Sequence, residues 1–338
     1  MRIALSFAIL YNDAYILKMG GSIMKKLFAI CLSLILALSM SGVAGATEYL
    51  GLATGGTTGT YYALGGDIAA LWMANIEGLD VSAQSTGGSK ANIILINDGE
   101  AELATVQNDV MYYAYQGDKD FFDGQVIDSF QAIGALYPEL VQIVVAADSG
   151  IKTVADLKGR NVSVGAVGSG VYFNAVQILE NAGLTLADIT AHHYSFDESA
   201  TAFQNQQIDA FFVTSGLPNT SIIEVANKRD VNLIGLDEAS LATLSEKYSF
   251  YVPVTVPAGT YNGMTEDVTV PAVSAVLICK KDLGEDLVYQ LTKVLFEKTG
   301  DLTHAKKELI SAESAVKGVP VPFHPGAEKY FSELGLLG

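Results

Sequence analysis

Repeatedly along this chain, an apolar run of strand length breaks into glycine, threonine, serine or amide residues, and apolar residues then resume at helical spacing. Residues 49–53 lead into Thr54-Gly55-Gly56-Thr57-Thr58-Gly59-Thr60, after which Tyr61, Leu64, Ile68, Leu71 and Trp72 share one helical face. The same transition follows residues 79–82, where Gln84-Ser85-Thr86-Gly87-Gly88-Ser89 precedes a helical 91–97. It recurs after 101–106, where Gln107-Asn108-Asp109 precedes a helical 110–115. Further on, residues 161–166 open into Val167-Gly168-Ser169-Gly170, ahead of a helix carrying Phe173, Val176 and Leu179 and stopped by Gly183. Residues 208–213 open into Thr214-Ser215-Gly216-Leu217-Pro218-Asn219. Such loops present free backbone N–H groups at a helix N-terminus, where the dipole favours negative charge, and their hydroxyls add rotatable donors. In an open parallel sheet they gather at the carboxyl ends of the strands, where ligands bind. The glycines match neither a P-loop, since no Lys-Ser or Lys-Thr follows, nor G-x-G-x-x-G. Taken singly, each loop is equally well a tight turn that needs glycine for positive φ.

The remaining chain fits a two-lobed α/β protein with a ligand cleft between the lobes. Residues 130–136 and 141–147 read as two strands split by Tyr137-Pro138-Glu139, and 154–159 as a helical turn. Asp197 reads as the N-cap of a helix reaching Gln207, and 231–236 as a strand. Residues 248–270 are extended, 272–279 are β-like, and Leu287, Leu291, Val294 and Leu295 mark a long amphipathic helix. Crossings near Pro138 and Val270-Pro271-Ala272 divide the chain into a first lobe, 47–138 plus 272–338, and a second, 139–271. Closure of two such lobes on a ligand is a known hinge motion.

Residues 1–46 form a signal region. Lys25-Lys26 precede the apolar run 27–40, and Ala44-Gly45-Ala46 supplies an A-x-A site, so Met24 is the expected start and cleavage is expected after Ala46. The mature 292 residues carry 16 basic and 36 acidic side chains, a net charge of −20 that excludes non-specific binding to nucleic acid. Cys279 is the one cysteine left, inside an apolar run, so no disulfide framework exists and the hydrophobic core must supply stability. Nothing points to an enzyme. His192, His193, His304 and His324 lack H-E-x-x-H spacing, Gly168-Ser169-Gly170 lacks the frame of a nucleophile elbow, and no catalytic residue, metal site or cofactor is expected.

The ordered set Ala53–Tyr62, Ser85–Ser89 and Val106–Asp109 resembles the TAXI family, the extracytoplasmic solute-binding proteins of tripartite ATP-independent periplasmic (TRAP) transporters. Asp156-Leu157-Lys158-Gly159, Gly168-Ser169-Gly170, Thr255–Tyr261 and His324-Pro325-Gly326 continue the resemblance through the mature chain. Lys90 and Val171 depart from the pattern. The resemblance implies a type II periplasmic-binding-protein fold, a periplasmic or extracytoplasmic location, and delivery of a small carboxylate, glutamate or 2-oxoglutarate-like, to membrane permease subunits. A monomer is expected. The loops hold few charges, with Asp109 and Lys90 the nearest, so backbone N–H groups, hydroxyls and amides must hold the anion. Gly55, Gly56, Thr57, Gly87, Gly88 and Ser89 would cradle one end, with Thr54, Thr60 and Thr86 in the same loops. Gln107 and Asn108 would read its middle, Ser169, Gly170, Thr214, Ser215 and Gly216 would close over it, and Tyr61 and Tyr137 would form an aromatic wall. A ligand-binding protein feeding a sensor, or a secreted hydrolase, are the alternatives.

Overall fold

The computed structural model describes residues 47–338; the expected signal region, start and cleavage site lie outside them. The first half alternates strand and helix: β1 (Glu48–Ala53), α1 (Thr60–Asn75), β2 (Leu79–Gln84), α2 (Ser89–Asp98), β3 (Leu103–Gln107), α3 (Asn108–Gln116) and the short α4 (Lys119–Phe122). Left-handed glycines end α2 at Gly99 and α3 at Gly117, where a side chain at positive φ would be strained. Next comes β4 (Phe130–Ala146), then β5 (Asn161–Ser163), α5 (Gly170–Asn181), β6 (Thr190–His192), α6 (Phe196–Gln204), β7 (Ala210–Ser215), α7 (Thr220–Ala226), β8 (Val231–Ile234) and α8 (Glu238–Lys247). The chain closes with β9 (Val252–Val256), β10 (Val268–Lys280), α9 (Glu285–Glu297), α10 (Ala312–Ala315) and α11 (Pro325–Glu333).

One strand order occurs twice. In the first half it is β2-β1-β3-β10-β4, with β1 parallel to β2 and β3, and β10 antiparallel between β3 and β4. In the second it is β6-β5-β7-β4-β8, with β5 parallel to β6 and β7, and β4 antiparallel to its neighbours. This α/β architecture is the type II periplasmic-binding-protein fold. Helices cover both faces of each half. Trp72 of α1 packs with Leu291 and Leu295 of α9 and Phe331 of α11, while Ile93, Val110 and Met111 cover the opposite face. In the second half, Ile178, Leu179 and Leu244 lie on one face, and Phe203, Ile222 and Val225 on the other.

Several local expectations are corrected. The stretch read as two strands around Tyr137-Pro138-Glu139 is one strand of 17 residues. Proline costs a ladder hydrogen bond, but the sheet absorbs it. Pro138 stands opposite Ser274 of β10, whose own N–H donates to Asn108 Oδ1 at 3.1 Å. The helix expected from Asp197 is capped by Ser195, whose hydroxyl accepts from the Glu198 N–H while Glu198 accepts from the Ser195 N–H. Helix α8, capped by Asp237, occupies part of the stretch before 248 for which no element was expected.

Candidate functional site

The loops that leave β1, β2, β3, β5, β6 and β7 converge on one cavity of about 160 Å³. From the first half come Gly55, Gly56, Gly59, Thr60 and Tyr61 after β1, then Thr86, Gly87, Gly88 and Ser89 after β2, and Gln107 at the end of β3. The second half brings Ala166, Ser169, Gly170 and Val171 after β5, then Tyr194, Ser195 and Phe196 after β6, and Thr214 and Ser215 of β7. Glu139 of the shared strand β4 completes the wall. Helices α1, α2 and α5 begin at Thr60, Ser89 and Gly170, so their positive ends face the same space. The first-turn N–H groups of Thr60, Tyr61, Ser89, Gly170 and Val171 have no acceptor among the described residues.

Five of the expected site residues do other work. Thr54 is buried, and its hydroxyl donates to Gln84 O at 2.6 Å, tying β1 to β2. Thr57 is exposed at the loop tip. Asn108 accepts from Ser274 N–H, donates to Gly318 O, and stands off the cavity because β3 ends one residue before it. Tyr137 packs against Tyr61 and borders a neighbouring groove with Pro138, Ser274 and Phe250 rather than the cavity, and its buried hydroxyl has no hydrogen-bond partner. At Gly216 a Cβ would lie 2.5 Å from Lys306 Cε and 2.9 Å from Thr60 Oγ1, so glycine permits a close approach there rather than lining the space. The expected charges are displaced as well. Lys90 Nζ donates to Phe121 O and sits 5.1 Å from the Phe122 ring centre, and Asp109 is sealed in the interior.

Sequence reading missed Glu139 and the aromatic pair Tyr194 and Phe196. The signal for Glu139 was present: a lone carboxyl within an apolar run long enough for one strand. Glu139 is 2% exposed, and one of its oxygens, Oε2, accepts from Tyr61 Oη. Burial pushes its pKa up from 4.5 to about 8, with the Tyr61 hydrogen bond opposing. Burial likewise raises Asp109 from 3.8 to about 7, against its bonds from the Val110 N–H and Asn174 Nδ2. Burial pulls the Lys306 ammonium below its usual range, and the Glu139 carboxyl pulls the other way.

The glycine loops are braced from behind. Asn92 Nδ2 donates to Thr54 O at 2.6 Å and Thr105 O at 2.8 Å, while Thr86 Oγ1 donates to Thr54 O and accepts from Gly88 N–H. The two halves also bond directly to each other around the cavity. The N–H groups of Lys90 and Ala91 donate to Gly168 O at 3.0 and 3.1 Å, and Thr58 Oγ1 donates to Asp197 Oδ1 at 2.6 Å. Asn174 Nδ2 reaches Asp109 Oδ2 at 3.0 Å, and Lys306 Nζ donates to Leu217 O at 2.6 Å. These contacts define a closed arrangement around a small space that holds no basic side chain.

The model of the NMT1-like family matches residues 52–335. The chain belongs to that family. Members of the NMT1-like family are solute-binding proteins rather than enzymes. Among solved structures, one from Bordetella bronchiseptica RB50 is 19% identical, with 85% of this chain and 81% of that one covered and a TM-score of 0.53; it shares the fold. The alkanesulfonate-binding protein SsuA from Xanthomonas axonopodis pv. citri, bound to MOPS, is 15% identical over 86% of this chain and 85% of that one, with a TM-score of 0.47. An ABC uptake transporter substrate binding protein from Streptococcus pneumoniae with bound histidine is 14% identical over 73% and 85%, with a TM-score of 0.46. Among the described residues of this NMT1-like protein, no helix is long and apolar enough to cross a membrane, and no group of His, Cys, Asp or Glu is arranged to hold a metal ion.

Proposed function

We propose that this protein is a periplasmic or extracytoplasmic receptor that encloses a small carboxylate and passes it to the permease subunits of a TRAP transporter. In this reading the ligand lies between a first lobe, 47–138 plus 272–338, and a second, 139–271, and the receptor acts as a monomer. The observation that carries the ligand class is the set of unpaired N–H groups at the starts of α1, α2 and α5, all directed at one enclosed space without lysine or arginine. Helix N-termini hold anions through their N–H groups and dipoles, and a water-poor site strengthens that hold. With a net charge of −20 on the mature chain, the global field opposes an anion, so these local dipoles must do the holding. The volume suits a ligand of about six to ten non-hydrogen atoms, since a dry cavity of roughly this size admits benzene. The TRAP assignment rests on the sequence motifs of the TAXI pattern.

Native mass spectrometry of the purified mature protein, before and after denaturation and refolding, tests the receptor reading. The expected result is release of a small carboxylate whose return raises the melting temperature. A protein whose stability ignores a panel of amino, oxo and hydroxy acids would overturn it. Pull-down of permease subunits from membranes tests the delivery step, and recovery of a sensor kinase instead would replace it.

A further inference from the structure

The cavity is chemically lopsided. Most of its lining is apolar, its polar part is made of neutral N–H and hydroxyl groups, no cation lines any of it, and one wall carries the buried carboxyl of Glu139. Tyr61 Oη occupies Oε2, and Oε1 has no hydrogen-bond partner among the described residues. A second carboxylate placed against this group would meet a like charge, or would require Glu139 to stay protonated and donate. A cationic or strongly donating group would meet an acceptor with an open oxygen. A buried charge is tolerated when it is paired and hydrogen-bonded, and costly when it is not.

We infer that Glu139, held by Tyr61, is the specificity-determining residue of this cavity, and that it takes the ammonium group of a small amino acid whose carboxylate rests on the helix N-termini. This rests on the small-carboxylate reading and narrows it: an amino group at the Glu139 end is selected over an oxo, hydroxy or second carboxylate group. Burial holds Glu139 largely protonated at neutral pH in the free cavity, with a pKa of about 8. Docking an ammonium therefore expels the Glu139 proton to solvent and leaves a carboxylate–ammonium pair. The groups that face Glu139 are Tyr61 from α1, Tyr137 from its own strand, Asp109 at the start of α3 and Lys306 from the turn 305–309. Tyr61 and Tyr137 are raised well above their usual range by burial and stay neutral, and Asp109 is raised to about 7. Asp109 titrates in both the wild type and Glu139→Gln, so the variant separates the two.

The test is calorimetric titration of the refolded mature protein with shape-matched pairs: L-alanine and pyruvate, L-leucine and 4-methyl-2-oxopentanoate, L-glutamate and 2-oxoglutarate. The expected result is that, in the pair that binds, the amino member binds at least about tenfold tighter than the oxo member. Its affinity should rise between pH 6 and pH 8, by at most about tenfold per pH unit, with proton release measured in buffers of different ionisation enthalpy. Glu139→Gln should lose that pH dependence and bring the two members to similar affinity. Melting of the unliganded variant checks that it is folded, and the wild-type pH series decides the matter without it. An oxo acid that binds as tightly as its amino partner, more tightly at low pH, overturns this inference and leaves the small-carboxylate reading standing. If no member of any pair binds, the small-carboxylate reading falls and this inference falls with it.

Discussion

On one side of the cavity, the loops after β1, β2 and β3 bring Gly55, Gly56, Gly59, Gly87, Gly88 and Ser89, backbone laid bare. On the other, the loops after β5 and β6 bring Ala166, Val171, Tyr194 and Phe196. The strand order behind the two walls is the same. The difference shows that a duplicated framework fixes where a ligand lies, while loop composition divides the labour. The first wall is braced by Asn92 and reads charge with N–H groups. The second adds the N–H groups of Gly170 and Val171, but most of it is a cover that excludes water and so strengthens every dipole around the cavity. The hydroxyls of Ser169, Ser195, Thr214 and Ser215, with the phenol of Tyr194, bring side-chain polarity to the cover.

This contrast is easiest to break where the halves meet. Asn174 on the covering side donates to Asp109 and accepts from Thr214 Oγ1, and it also bonds Tyr251. Asn174→Ala leaves these buried groups without their partner and should cost about 3 kcal/mol of stability, read by urea unfolding. A loss below about 1 kcal/mol would show that the node does not join the two walls.

The next effect is a pH dependence. The folded-state pKa values of Asp109 and Glu139 lie above their ordinary ones, about 7 against 3.8 and about 8 against 4.5. Between the ordinary and the raised value the folded protein holds a proton that the unfolded chain has lost. Stability therefore falls as pH rises through that window, by at most about 1.4 kcal/mol per pH unit for each group, and levels off above it. The unliganded protein should melt higher at pH 5 than at pH 8, by roughly 2 kcal/mol or more of stability. Asp109→Asn should flatten the part of that slope below pH 7; an unchanged slope would remove Asp109 from the account.

Smaller effects separate closure from binding. Lys306→Met removes the bond to Leu217 O while keeping the aliphatic stem against Gly216, and should weaken ligand affinity about fivefold, near 1 kcal/mol, with little change in unliganded stability. Thr58→Val, at the exposed rim contact with Asp197, should cost no more than about 0.5 kcal/mol by the same titration. If Thr58→Val proves the costlier of the two, the rim, not the lysine, holds the walls together.

The local rules carried most of the fold. Apolar runs ending in glycine and hydroxyl residues located the strand ends of both halves, because a helix that follows a buried strand needs a turn of that composition. The loops that reach the cavity were legible for the same reason. Asn108 and Tyr137 were misplaced because nearness in sequence to a site loop does not decide which side chains reach the cavity, and Tyr137 is packed behind Tyr61. Asn108 lies one residue past the end of β3, and its side-chain oxygen accepts from the Ser274 N–H of the neighbouring strand β10. Glu139 was lost in an expected break that the sheet bridges, and Tyr194 and Phe196 follow a strand of three residues that carries little pattern of its own.

The sequence alone determined the alternation of strand and helix, the polar strand ends and the acidic balance, since each follows from neighbouring residues and composition. Only the tertiary structure decided that Pro138 sits inside a continuous strand, that Asp109 is sealed away and that Glu139 faces the cavity. Those outcomes depend on which strands pair across more than a hundred residues, and long-range pairing sets burial, which in turn sets the charge a carboxyl carries.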